Sequence, residues 1–294
     1  MTTYVNVSAR FTNGATTDTA ARNYLADFHT TITSSGWVVT SDTGQMDEST
    51  VVYGGVNNTW GYRVYKLNDS LVNTYPIYMK ITHGTGTVST YVAPTVQFGT
   101  ATNGAGSFIG TTISIGLNAS SSADTQMVAN AMAIGSYGEG YSFIAPGRNV
   151  YSNSSWNKNI FIGVSRQFDA SGNLMSNGNF TAICNSLAST NYLRATSYVK
   201  AWGTTYSVVG NSISLCPHDI SNPGSNVEFN RIYTRYGPPS VVPGVASYTL
   251  NDIAVDAEMS FAAVGSTPRN YRALPNIGYG YPTPASRCLA IIWE

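Results

Sequence analysis

The sequence predicts a mainly β chain of the α+β class: an antiparallel β-sandwich-like core with one N-terminal amphipathic helix. Three observations predict it. Only one window has clear helical spacing of its apolar residues. Most of the remainder breaks into short runs of Val, Ile, Tyr and Trp ended by Gly, Asn, Asp or Pro. No charge run, repeat or low-complexity linker divides the 294 residues. The chain therefore reads as one continuous β-rich unit over residues 1–294, with a helix-containing part at 1–125. Residues 126–294 read as β-hairpins and irregular Pro/Gly-rich loops.

The helix lies in "TTDTAARNYLADFHTTI", where Ala21, Leu25, Phe28 and Ile32 recur on one face and Tyr24 widens it. Thr17 or Asp18 can cap its start, and Gly36 follows its last turn. His29 reads as a partly exposed helix residue. Strands follow in "GWVVTSDTG", "WGYRVYKLNDSL" and "TYPIYMKITHGTG", with His83 placed after the last of these, before Gly84. "APTVQFGT" leads through "ATNGAGSFIG" into "TTISIGL", and Asn103-Gly104 is a hairpin-type turn signal. Gly104, Gly106 and Gly110 mimic a phosphate loop, but no Lys-Ser/Thr follows, so the segment is a turn.

"SSADTQMVANAMAIGS" reads as a short helix or a loop. "NKNIFIGVSRQF" and "NFTAICNSL" flank "DASGNLMSNG" as a hairpin with a wide polar loop. "SYVKAWGTTYSVVGNSISLCP" supplies two more strands. Prolines and glycines from Pro223 to Pro243 predict an irregular, partner-facing segment, and "SRCLAIIWE" is a last strand.

Composition narrows the function classes. Charged residues are 10% of the chain, against roughly 25% in an average soluble protein. Ser, Thr, Asn, Gly and 20 Tyr take their place. Net charge is zero, with 15 basic and 15 acidic residues and no Lys/Arg run, which argues against nucleic acid as a partner. No apolar run has the length of a membrane span. The N-terminus lacks a basic region followed by an apolar one, so the expectation is synthesis in a cytoplasm without export by the general route. Cys184, Cys216 and Cys288 have no metal spacing and read as free thiols.

One stretch offers a catalyst. "SDTGQMDE" contains Asp42-Thr43-Gly44, the loop that carries the aspartate of aspartic proteases. Those enzymes need two aspartates sharing a proton, and no second Asp-Thr/Ser-Gly occurs here. Asp42, Asp47 and Glu48 form either a carboxylate patch for a cation or ordinary turn chemistry, with Asp42 accepting bonds from the backbone of Thr43 and Gly44. "CPHD" sets Cys216, His218 and Asp219 together, but neighbours on an extended segment face opposite ways. The expectation is therefore no catalytic residue, no cofactor and no bound metal.

Four segments carry a resemblance: "SSGWVVTSDTGQMD", "GYRVYKLNDSL", "YPIYMKITHGTGT" and "VQFGTATNGAGSFIG". Their succession resembles tailed-bacteriophage virion proteins of the tail and baseplate type. That class has a helix ending in Gly-aromatic, then Asp-Thr-Gly-Gln, a Gly-Tyr strand, an Asn-Asp-x-Leu turn and Pro-x-x-x-Lys-Ile before Gly-Thr-Gly. The counterparts are Asp42-Thr43-Gly44-Gln45, Gly61-Tyr62, Asn68-Asp69-Ser70-Leu71, Pro76 to Ile81 and Gly84-Thr85-Gly86. "FIGVSRQFDASGNLMSNG" is similar to the same class's second hairpin. The resemblance is good to about residue 110, patchy to about 180 and absent beyond, and it departs at His83, where the class has an aromatic.

The resemblance implies a non-enzymatic structural component of the virion, in the tail, baseplate or fibre-attachment region, made in the host cytoplasm and released by lysis. Its partners would be copies of itself and other virion proteins. A receptor- or host-glycan-binding module at the tail tip, or a capsid decoration protein, are the alternatives. The same resemblance implies that residues 42–45 form the turn leaving the first strand after the helix, with Asp42 and Gln45 bonded to backbone.

Overall fold

Thr17 caps helix α1 (Asp18–Ser34): its hydroxyl accepts the Ala20 amide at 3.2 Å and its carbonyl accepts the Ala21 amide at 3.1 Å. At the other end Gly36, at φ 91°, turns the chain out and returns its amide to the Thr33 carbonyl. The computed structural model describes residues 17–34, 36–54, 59–84, 95–110 and 112–114 with almost all their side chains. Elsewhere it describes mainly strand backbones, with a few side chains such as Val164, Arg166, Phe180 and Ala182.

The predicted apolar face of α1 is the buried one, with Ala21, Tyr24, Leu25, Phe28 and Ile32 all in the core. Burying each of the larger four contributes roughly 1.5–3 kcal/mol, more than helix propensity can supply. That face meets a five-stranded antiparallel sheet made of β2 (Trp37–Val39), β3 (Thr59–Leu67), β4 (Tyr78–Gly84), β5 (Thr95–Gly99) and β6 (Ile113–Gly116). The spatial order follows the sequence order, a meander.

Alternation fixes which side chains the sheet gives to the core. Tyr65 and Leu67 of β3, Met79, Ile81 and His83 of β4, and Val96 and Phe98 of β5 are buried. The pairs Tyr65–Met79, Arg63–Ile81, Ile81–Val96 and Met79–Phe98 keep one face in register. His83 therefore lies inside β4 rather than after it. Its ring packs edge-on to Phe28 at 5.1 Å between centroids and to Tyr24 at 6.3 Å.

The other strands form two further antiparallel sheets, of eight and six strands. β1 (Tyr4–Phe11) begins the first and pairs along its whole length with β7 (Gln126–Ile134). This corrects the helix-or-loop expectation for that segment. Its Ala and Met residues favour helix weakly, and a complete ladder to β1 overrides the preference. β8 (Tyr141–Ala145), β9 (Arg148–Val150), β10 (Ile162–Arg166) and β11 (Phe180–Asn185) follow in the same sheet, and β10 and β11 pair as an antiparallel hairpin. Val164, Phe180 and Ala182 from this hairpin join the cluster built on α1.

The segment Pro223 to Pro243 also needs correction, because it is not wholly irregular. Phe229–Tyr233 pairs with Val241–Thr249. The register jumps between Arg231–Ala246 and Ile232–Val242, so Pro243 sits in a bulge where its missing N–H breaks no rung to that partner.

A polar clasp as the candidate functional site

β2 and β3 run antiparallel until Thr40, whose amide still donates to the Val64 carbonyl at 2.9 Å. The return bond of that rung, from the Val64 amide to the Thr40 carbonyl, is replaced by a side chain. The Val64 amide donates to Gln45 Oε1 at 2.8 Å, and Gln45 Nε2 donates to the Thr40 carbonyl at 2.8 Å and the Asp42 carbonyl at 3.0 Å. One carboxamide thus bridges an opened rung while residues 41–44 loop outward. The main-chain pairing resumes with Met46, whose amide donates to the Tyr62 carbonyl at 2.9 Å. A near-isosteric Gln45→Met variant leaves a strand N–H and a carbonyl without these partners. It is expected to lose about 2 kcal/mol in urea unfolding and to expose the Val64 amide to rapid hydrogen exchange. A loss under about 0.5 kcal/mol would show the bridge to be incidental.

The looped residues grip the β5–β6 connection. Asp42 Oδ1 accepts the hydroxyls of Thr40 at 2.7 Å and Thr102 at 3.1 Å, and Oδ2 accepts the Gly106 amide at 2.9 Å. Thr43 donates its amide to the Gly104 carbonyl at 2.9 Å. The Tyr62 hydroxyl donates toward the carbonyls of Thr43 and Ala105, at 2.9 and 3.2 Å, and so lies between the two loops. Lys80 donates to the Gly106 carbonyl at 2.8 Å, with its ammonium 4.2 Å from the Tyr62 ring centroid. Gly106 is obligatory: at φ 76° it lies so close to that ring that a Cβ would sit 2.2 Å from Tyr62 Cε2.

The electrostatics follow from this geometry. Asp42 is 8% exposed. Burial raises its pKa, but the hydrogen bonds from Thr40, the Gly106 amide and Thr102 outweigh that and hold the carboxyl below its ordinary range. Burial lowers the pKa of Lys80, which the Asp42 charge opposes.

A second polar group lies along α1. Glu48 takes a bidentate pair of bonds from Arg63, one of them from Nε at 2.6 Å. His29 Nδ1 lies 3.2 Å from the Tyr65 hydroxyl and 3.9 Å from Glu48 Oε1. Burial and then the Arg63 charge hold the His29 pKa below its ordinary value, against the pull of Glu48. Asp18 accepts the Tyr53 amide and Arg22 donates to the Val51 carbonyl, both at 2.8 Å. These bonds fasten residues 47–53 across the helix.

Asp42, Asp47 and Glu48 therefore do not converge. Asp42 enters the clasp, Asp47 caps a short 3-10 turn through Ser49, and Glu48 pairs with Arg63. No group of three His, Cys, Asp or Glu is placed to hold a metal among the described residues. No helix of the described residues is long and apolar enough to cross a membrane. Cys216, His218 and Asp219 lie outside the described residues, as do the side chains of Cys184 and Cys288. Sequence reasoning found Gln45 bonded to nearby backbone, but its local partners for Asp42 need correction: the Thr43 amide goes to the Gly104 carbonyl, and Asp42 accepts the distant Gly106 amide with the Thr40 and Thr102 hydroxyls. The same reasoning missed Thr102 and Lys80, for which the only signal was the turn at Asn103-Gly104.

A third polar contact joins the turn after β3 to β10 of the eight-stranded sheet. Asp69, in the turn after β3, accepts Arg166 Nε at 2.5 Å and Nη2 at 2.9 Å, with side chains 0% and 1% exposed. Asp69 Oδ1 also accepts the Leu71 amide at 3.1 Å, which shapes the turn. No protein-family model, curated protein or solved structure matches this chain.

Proposed function

We propose that this chain is a non-enzymatic structural component of a tailed-bacteriophage virion, in the tail, baseplate or fibre-attachment region, and that it works by protein–protein assembly. The observation that carries the reading is how the resembling motifs are used. Asp42 and Gln45 spend their polar groups on the clasp, Tyr62 fills it, and Asp69 holds a buried arginine. Residues a hydrolase would present to a substrate are here consumed in holding loops to a sheet. We read the wider architecture as an antiparallel β-sandwich-like core with α1 filling one side. A low-charge, hydroxyl-rich and Tyr-rich composition suits a particle component that meets neighbouring copies and other virion proteins.

Native mass spectrometry of the purified chain over a concentration series tests this. A trimer, hexamer or larger ring is the expected result. A strict monomer whose melting temperature rises on adding host-surface glycans would overturn it in favour of the tail-tip binding module. A monomer without any glycan effect would favour a capsid decoration protein.

A further inference from the structure

The loop gripped by Asp42 also carries the elements of a self-modification. Asn103 and Gly104 are exposed at its tip. Asn103 Oδ1 accepts two backbone amides, from Ala105 at 2.9 Å and Ser107 at 3.1 Å. That pair of N–H groups polarises the carboxamide and would hold the oxyanion formed when its carbon is attacked. The neighbouring nucleophile is oriented as well. The Gly104 amide donates to Thr102 Oγ1 at 3.3 Å. Thr102 gives its own hydroxyl hydrogen to Asp42, which leaves its lone pairs for Gly104. Residue 104 has no side chain to obstruct ring closure.

We propose that Asn103-Gly104 is a site of spontaneous succinimide formation, at which the Gly104 nitrogen closes on the Asn103 carboxamide carbon and the product opens to aspartate or isoaspartate. The Gly104 N–H proton passes to solvent hydroxide as the N–C bond forms. The carboxamide C–N bond then breaks, and its nitrogen takes a proton from water and leaves as ammonia. A second water opens the imide on either side. Thr102 acts as a positioning residue through the Gly104 amide, and Asp42 acts through Thr102. Isoaspartate adds a methylene to the main chain beside Gly104, whose carbonyl receives the Thr43 amide. Conversion therefore loosens the clasp irreversibly and ages the protein from this loop.

The test is to incubate the full chain at mildly alkaline pH, folded and in guanidinium, and follow residue 103 by peptide mapping with isoaspartate detection. Conversion is expected to be several-fold faster in the folded protein. Thr102→Val should remove that advantage and Thr102→Ser should keep it, with thermal melts confirming that both variants fold. Slower conversion in the folded protein than in the unfolded chain would overturn the proposal, because the turn would then be protective. An unchanged folded rate in Thr102→Val would overturn it equally.

Discussion

Replacing Arg166 with Met is expected to cost about 3–5 kcal/mol of folding stability, among the largest effects of any single substitution in this protein. The reason is the partner left behind. Asp69 is fully enclosed, and Arg166 supplies two of its hydrogen bonds at 2.5 and 2.9 Å. Without the guanidinium, the carboxylate keeps only the Leu71 amide as donor among the described residues, and its side chain has no exposed surface. The double variant Asp69→Asn/Arg166→Met removes both charges and keeps an acceptor for Leu71. It is expected to recover most of the loss, since a buried ion pair contributes little beyond satisfying its own members. Urea midpoints of the two single variants and the double variant decide the matter. A single-variant loss below about 1 kcal/mol would show that Asp69 has other means of satisfaction.

Acid is expected to weaken the fold through His83. His83 is 2% exposed, packed against Tyr24 and Phe28, and its Nδ1 is buried with no hydrogen-bond partner among the described residues. Burial, aided by the Arg63 charge, pushes its pKa down to about 3. The unfolded chain takes up that proton near pH 6.5, well before the folded one does. Stability attributable to this residue is therefore full above about 6.5 and falls by up to about 1.4 kcal/mol per pH unit on the way down to about 3.

His29 acts in the same direction from about pH 6.5, because its pKa is lowered too. Glu48, Arg63 and the Tyr65 hydroxyl face it. Asp42 adds its loss later, as pH falls below the ordinary aspartate value near 3.9, because its folded carboxyl is depressed. His83→Phe keeps a ring at the site and removes the titration. Chemical unfolding from pH 7.5 to 4 should show a clearly shallower decline in the variant, with neutral-pH stability within about 1.5 kcal/mol of the parent. Parallel curves for the two proteins would exclude His83 as the source.

Local order in this protein was legible wherever the cause was local. The period of Ala21, Leu25, Phe28 and Ile32, the Thr17 cap and Gly36 gave α1 its ends and its buried face. Turn residues marked the ends of strands β2 to β5, and within β4 every second side chain from Met79 to His83 enters the core. The same logic placed Gln45 on nearby backbone, where it meets the Thr40 and Asp42 carbonyls, whereas Asp42 passes over the adjacent Thr43 and Gly44 amides for that of Gly106, 64 positions away.

What failed was decided at a distance. Gln126–Ile134 carries helix-tolerant residues and became a strand because β1, more than a hundred positions earlier, offers a full ladder. Pro243 looked like a breaker and was absorbed in a bulge. Asp69 and Arg166 lie 97 positions apart, and neither residue announces the other. The sequence by itself determined the helix, most strands of the first sheet and the polar character of the 41–45 turn. Tertiary structure alone decided which loop that turn would grip, which arginine Asp69 would bury and which histidine would lose water, because desolvation and long-range pairing depend on neighbours that no local window contains.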